Sequence, residues 1–158
     1  MYICGVRKEE YKIVDKTQSL KEPGVIYSGY GLQFESAINL AVEAVKGLGA
    51  QALNDLEVVS GLSRQAVARF LHVTSRSLNR YLEEGRTLDA AKSETILRLL
   101  ALYKKGSEVM GSKEEFNRWL ARPAMGIGNH IPLNLMETAT GITLIDEELD
   151  RIAHGDVL

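Results

Sequence analysis

Apolar residues recur every three or four positions along most of the chain, which is the spacing of amphipathic helices. The strongest pattern spans residues 34–47, where one helical face carries Phe34, Ile38, Ala41, Val42 and Val45. We expect this stripe to belong to the core, with self-association as the alternative. Further helices are predicted over residues 51–60, 63–70, 74–82, 89–105, 112–120, 133–140 and 146–154. The predicted fold class is therefore all-α.

The first 33 residues lack this periodicity. Residues 12–15 and 24–31 could form short strands, because Pro23 and Gly24 favour a turn between them. We therefore expect a short N-terminal β-hairpin or arm. Residues 1–48 would form an N-terminal unit of arm and helix, with a possible role in dimerisation.

Two helix starts with the same signature follow closely in the middle of the chain. Ser63 and Thr74 are both suited to cap a helix, because a hydroxyl accepts a hydrogen bond from an amide of the first turn. Apolar residues before and after each cap complete a hydrophobic staple. Only about three residues separate the two predicted helices, as in a helix-turn-helix. We assign residues 49–105 to such a domain.

The second helix of this pair has an apolar face and a polar, arginine-bearing face. In a helix-turn-helix the polar face enters the major groove of DNA, where arginine and asparagine contact base edges and serine contacts phosphate. The alternative is an ordinary pair of bundle helices with a solvated arginine face. The candidate DNA-binding residues are Ser75, Arg76, Ser77, Asn79, Arg80 and Arg86.

Charge is divided unevenly, although the net charge of the chain is only −2. Residues 64–105 contain nine Lys/Arg against four Asp/Glu, whereas residues 106–158 contain four against nine. A basic middle and an acidic end indicate that one segment faces phosphate and the other a different partner. Solvated charged faces are the alternative explanation.

No pattern typical of catalysis, metal binding or a cofactor is present in the sequence. His72, His130 and His154 are far apart and lack metal-ligand spacing, and Gly24, Gly29 and Gly31 form no dinucleotide fingerprint. We therefore expect no enzyme activity, no metal and no cofactor. The lone Cys4, the absence of a secretory leader pattern and the lack of a long apolar run favour the cytoplasm and no membrane association.

Residues 106–158 form a second predicted helical unit. A capping box at residues 112–115 begins its first helix, and a loop rich in glycine, proline and asparagine follows at residues 123–132. Gly141 is expected to end a short helix, and the last helix is expected to begin near Asp146. The acidic residues of this unit suit the start of that helix, or a basic partner.

From about Val45 to Gly155 the chain resembles the Xre/MbcA/ParS group of bacterial antitoxins. The resemblance rests on the segment from Leu62 to Arg80, on Phe-Asn-Arg-Trp-Leu at residues 116–120 with Pro123, and on Gly-Asn-His-Ile-Pro-Leu-Asn-Leu-Met-Glu-Thr at residues 128–138 followed by residues 149–155. One departure is Asn129, which replaces the second glycine of a Gly-Gly pair.

The resemblance implies an Xre-like antitoxin, acting as a homodimer, whose cognate partner is a RES-domain toxin that consumes NAD⁺. In such pairs the C-terminal domain covers the toxin's active site, and the helix-turn-helix represses the shared operon by binding operator DNA. A stand-alone transcriptional regulator with a C-terminal protein-interaction domain is the alternative. The resemblance places toxin contacts at Asn129, His130, Pro132, Leu133, Met136, Arg151, His154, Gly155 and Leu158.

Overall fold

Helices form the framework of the chain in the computed structural model, which describes residues 23–30 and 36–155. Within these ranges there is no β-sheet, only two isolated bridges, Gly49 to Thr87 and Ala124 to His130. The predicted all-α class is confirmed. The helices are α1 (Pro23–Gly29), α2 (Ala37–Lys46), α3 (Gln51–Ser60), α4 (Arg64–Phe70), α5 (Ser75–Glu83), α6 (Ala90–Met110), α7 (Lys113–Leu120), α8 (Pro132–Leu135) and α9 (Ala139–Ala153), with a 3₁₀ turn at Met125–Ile127.

The strand predicted at residues 24–31 is wrong, because most of this segment forms α1. Pro23 occupies the first helical position, where its missing N–H costs no hydrogen bond. Ile26 and Tyr30 are buried one helical turn apart, and the Tyr30 hydroxyl donates to Asp55 at 2.9 Å. A short apolar run does not by itself distinguish helix from strand. The other predicted strand, at residues 12–15, lies outside the described residues.

Side-chain caps begin most of the longer helices. In each case a hydroxyl or carboxylate oxygen accepts a hydrogen bond from a backbone amide of the first turn, which would otherwise lack a partner. The structure confirms the caps predicted at Ser63 and Thr74. The capping residues of α2, α4, α5, α6, α7 and α9 are Ser36, Ser63, Thr74, Asp89, Ser112 and Thr138.

The long helix α6 continues through the predicted stop at Lys105 and Gly106 and ends before Gly111, so the predicted end is wrong. Gly106 is buried inside the helix, and a Cβ added there would lie 2.5 Å from the ring of Phe116. The glycine therefore permits close contact between α6 and α7 and does not end α6. The boundary proposed between residues 105 and 106 falls within this helix.

The last helix, α9, begins seven residues earlier than predicted, and Gly141 lies in its first turn. The Gly141 amide donates to the capping hydroxyl of Thr138 at 3.0 Å. A Cβ at this position would lie 1.9 Å from the carbonyl oxygen of Leu135. Glycine is needed here because the helix passes directly against the backbone of the preceding segment, so its expected role as a helix breaker is wrong.

The apolar stripe of α2 lies mainly on the surface. Ile38, Val42 and Val45 are 75%, 47% and 77% exposed, so their predicted place in the core is wrong. The helix packs against α6 through its other side, where Ala44 is buried and Leu40 contacts the core. The spacing of apolar residues shows which face of the helix is hydrophobic. It does not show whether the same chain or another molecule covers that face.

The middle and C-terminal segments share one hydrophobic core. Buried side chains from α1 to α9 form a single cluster, and α6 contacts α2, α3, α7 and α9. Asn117 of α7 joins the segments through polar contacts, donating to the carbonyl of Ser60 at 2.8 Å and accepting from the Tyr103 hydroxyl at 3.0 Å. Arg69 of α4 also pairs with Glu137 at 3.3 Å. These contacts hold the two segments in one fixed arrangement.

Candidate functional site

The first candidate surface is the outer face of α5. A four-residue turn joins α4 to α5, and His72 adopts a left-handed conformation in it, with φ of 53°. The Val73 amide donates back to the Ala68 carbonyl at 3.0 Å. Val67 and Leu78 anchor the two helices in the core with no exposed surface. The opposite face of α5 is consequently exposed to solvent. The turn contains no glycine, and His72 adopts the left-handed conformation instead.

The outer face of α5 carries cations that the fold does not neutralise. Arg76, Asn79 and Arg80 are exposed, whereas Ser75 and Ser77 are half-buried. Most lysines and arginines of the described ranges have a carboxylate within ion-pair distance, but Arg76 and Arg80 have none there. Two unpaired guanidinium groups one turn apart can bind phosphate or the acceptor edge of guanine.

Arg86 lies beside this face and is held by its backbone. Its amide donates to the Tyr81 carbonyl at 3.0 Å, and its carbonyl accepts from the Ala50 amide at 3.0 Å. Its side chain is exposed and pairs with Glu84. An anion such as phosphate would have to compete with that carboxylate.

Arg64, which the sequence did not identify as functional, orients one of the candidate DNA-binding residues. Its guanidinium donates to both carboxylate oxygens of Glu57, at 2.6 and 2.8 Å, and to Asn54 at 3.1 Å. The hydrogen bond with Glu57 raises the pKa of Arg64. The same group donates to Asn79 Oδ1 at 2.8 Å. Because arginine is only a donor, the amide of Asn79 has its oxygen toward Arg64.

The second candidate surface is the loop between α7 and α8. Ala124 and Ile127 are buried, and the Ala124 amide donates to the His130 carbonyl at 3.0 Å, which closes the loop. Gly128 and Asn129 both adopt left-handed conformations, with φ of 68° and 60°. Asparagine tolerates this conformation better than most residues, so it can replace glycine there.

We use the name 125–130 loop for the exposed part of this segment, which displays Met125, Gly126, Gly128, Asn129 and His130. Met125 is 75% exposed and is not among the contact residues predicted from the sequence. The sequence does contain a sign of this exposure. Met125 is a large apolar residue between two small ones, in a predicted loop, where no amphipathic helix would place it in the core.

The predicted toxin contacts are distributed over and beneath this region. Asn129 and His130 lie on the loop, and Arg151, His154 and Gly155 are exposed at the end of α9. Leu133 is half-buried and Pro132 is buried. Met136 has no exposed surface and belongs to the core cluster. Leu158 lies outside the described residues.

A polar contact ties the 125–130 loop to α9. Arg151 donates to the Gly126 carbonyl at 3.0 Å and to Glu148 Oε2 at 2.7 Å. Glu148 is only 9% exposed. The loop backbone approaches this carboxylate so closely that a Cβ on Gly126 would lie 2.0 Å from Glu148 Oε1.

The described residues contain neither a metal site nor a membrane-spanning helix. In the described ranges, His, Cys, Asp and Glu nowhere form a group of three or more that could hold a metal ion. None of the helices described is both long enough and apolar enough to cross a membrane.

Comparison with known proteins identifies relatives of the chain. Residues 105–155 match the family model of the antitoxin Xre/MbcA/ParS C-terminal toxin-binding domain. A protein named Antitoxin Xre from Yersinia enterocolitica is 24% identical over 116 residues, which cover 72% of this chain and 78% of that protein. An Antitoxin Xre from Photorhabdus laumondii is 23% identical over 113 residues, covering 71% and 76%. The fold is similar to a chain of the M. tuberculosis MbcT–MbcA toxin–antitoxin complex, with a TM-score of 0.54 and 17% identity over 69% of this chain and 96% of that one.

Proposed function

We infer that this chain, an antitoxin of the Xre/MbcA type, neutralises a cognate toxin with its C-terminal segment and represses its own operon through α5. The observation that carries the proposal is the match of residues 105–155 to a toxin-binding domain, in the segment that presents the 125–130 loop. The proposal assigns no catalytic step to this chain. Both partners would be met in the cytoplasm.

The proposed toxin is a RES-domain protein that consumes NAD⁺, and the proposed mode of inhibition is occlusion of its active site. A dinucleotide carries a negatively charged pyrophosphate, and positive charge in a cleft attracts it. Residues 106–158 contain nine Asp/Glu against four Lys/Arg, so they complement such a cleft. The contacts would come from Asn129 and His130 on the loop and from His154 and Gly155, which directly follow α9. Leu133, at the edge of the same region, would add apolar area.

Titration of the purified RES toxin tests neutralisation. We expect NAD⁺ consumption to fall to the background rate as this antitoxin is added, because the bound C-terminal segment would exclude the substrate. The variant with Arg76→Ala and Arg80→Ala is the control, and it should inhibit as well as the wild type since those residues lie on the other surface. Undiminished NAD⁺ consumption at a large molar excess of antitoxin would contradict the proposal. Inhibition of a toxin that does not consume NAD⁺ would remove only the RES assignment.

The proposed operator contacts lie along α5 and beside it. Arg76 and Arg80 would bind guanine edges or phosphates, with the half-buried Ser75 and Ser77 meeting phosphate at the start of the helix. Arg64 would hold Asn79 with its Nδ2 group, a donor, directed away from the protein core. Arg86 would bind a phosphate in place of Glu84.

A second copy of the chain is the proposed occupant of the exposed face of α2. A small helix-turn-helix contacts few base pairs, so stable operator binding usually requires two copies related by a two-fold axis. Ile38, Val42 and Val45 provide an apolar stripe on one helix, and such a stripe can pair with itself across a two-fold axis. Residues 1–48, assigned as the N-terminal unit, would then carry the dimer interface.

A further inference from the structure

The 125–130 loop exposes a large apolar side chain, although its apolar neighbours are buried. Ala124 and Ile127, on either side of Met125, are packed inside, whereas Met125 is 75% exposed. Within residues 105–155, the large apolar side chains recorded as exposed are Met125 and Leu144. Methionine is flexible and polarisable, and it fills pockets of irregular shape on a partner.

The loop that presents Met125 is held partly by its own backbone and partly by α9. Gly128 and Asn129 are both left-handed, and five backbone hydrogen bonds join residues within 124–130. A loop that must adopt one conformation to bind loses affinity if it is not already held there. The contact from α9 supplies such a constraint.

Arg151 is the residue that makes this contact. It donates to the Gly126 carbonyl at 3.0 Å and to Glu148 at 2.7 Å, so its guanidinium is engaged by groups of the antitoxin itself. Glu148 in turn is nearly buried and requires a cation beside it, because an unpaired buried carboxylate is costly. The pair fixes the backbone of the residue that follows Met125.

We propose that Met125 is the apolar anchor of the toxin interface, and that Glu148 and Arg151 are positioning residues that hold its loop in the binding conformation. The partner feature is an apolar pocket on the toxin that is wide enough for a methionine side chain. This inference rests on the proposed toxin-binding function. It assigns Arg151 a role inside the antitoxin, whereas the sequence analysis predicted that Arg151 contacts the toxin.

The test combines toxin binding with amide hydrogen exchange of the toxin-free antitoxin, using the purified cognate toxin. Met125→Ala should weaken toxin binding roughly tenfold to a hundredfold, as expected for loss of a buried apolar side chain. It should leave exchange at residues 126–130 unchanged. Arg151→Gln should weaken binding and also accelerate exchange at those amides. Glu148→Gln should add little to the effect of Arg151→Gln, because both act through the same contact.

Matched variants separate positioning from charge and from exposed apolar area. Glu115 and Arg118 form another i,i+3 ion pair in the same segment, on α7, so Arg118→Gln should change neither readout. Val25→Ala removes an exposed apolar side chain on α1 and should also leave toxin affinity unchanged.

Weaker binding by Arg151→Gln with unchanged loop exchange would mean that Arg151 is a direct contact. Unchanged affinity of Met125→Ala would remove the anchor. A wild-type antitoxin that does not bind the toxin would instead overturn the proposed function, and the exchange of the toxin-free variants would still show whether Arg151 holds the loop.

Discussion

Replacing both Arg76 and Arg80 with alanine should weaken binding to operator DNA by at least about 30-fold. Each arginine–base contact contributes roughly 1–3 kcal/mol, and a factor of ten in affinity corresponds to about 1.4 kcal/mol. Both side chains are exposed and have no carboxylate partner among the described residues, so binding DNA would not require breaking an ion pair within the protein. The measurement is a fluorescence-anisotropy titration of the DNA fragment upstream of the gene, at fixed salt concentration.

Three comparisons make this titration specific. Arg118→Ala with Arg122→Ala removes two exposed arginines that lie outside α5, and it should have a much smaller effect. Val42→Glu keeps the arginines but places a charge on the α2 face, so it should yield monomers in sedimentation and weak operator binding. Affinity should also fall steeply with salt for the wild type, because phosphate contacts release counterions. If the variant without Arg76 and Arg80 binds the operator as tightly as the wild type, the arginine face of α5 does not contact DNA and is simply solvated.

Gly141→Ala should lower the free energy of unfolding by about 3 kcal/mol, at the upper end of the usual cost of overpacking. The added methyl group would lie 1.9 Å from the Leu135 carbonyl oxygen, which belongs to the backbone and cannot rotate away. Alanine favours helices by about 1 kcal/mol over glycine, which is too little to compensate. For a chain of this size the midpoint of thermal unfolding should fall by about 6–12 °C.

Gly24→Ala is the matched control for this prediction. Gly24 also lies near the start of a helix, α1, but no atom lies within 4 Å of a Cβ added there. Its thermal midpoint should be unchanged or slightly higher. Because α9 shares one core with the rest of the chain, Gly141→Ala should broaden or lower a single transition. A stable variant, or a separate early transition confined to residues 106–155, would contradict the close packing at Gly141 or the single core.

The local signals that the sequence contains predicted much of this structure correctly. The caps at Ser63, Thr74, Asp89 and Ser112 are short-range features, since each depends on one side chain and an amide three residues later. The recurrence of apolar residues every three or four positions predicted nearly every helix. These features are decided within a few residues, so the sequence alone is sufficient to predict them.

The errors involve glycines and apolar stripes whose meaning depends on distant segments. Gly106 and Gly141 were interpreted as helix ends, yet each permits contact with a residue outside its own helix, Phe116 and Leu135 respectively. The stripe on α2 was assigned to the core, but Ile38, Val42 and Val45 are exposed. The sequence does not give these distances.

The candidate surfaces show the same division. The residues on the outer face of α5 followed from helical periodicity, because one helix determines which side chains share a face. The contact between Arg151 and Gly126, 25 positions apart, and the bond from Arg64 to Asn79, 15 positions apart, depend on how helices pack. Met125 was missed because its exposure follows from the burial of its neighbours.

We propose that a single chain with one shared core binds a toxin and an operator on separate surfaces, and hydrogen exchange in the presence of each partner distinguishes the two surfaces. We expect the toxin to slow exchange at residues 124–131 and 151–155, whereas operator DNA should slow exchange at residues 75–86. Toxin protection confined to residues 75–86, or a 125–130 loop that exchanges equally fast with and without toxin, would contradict it.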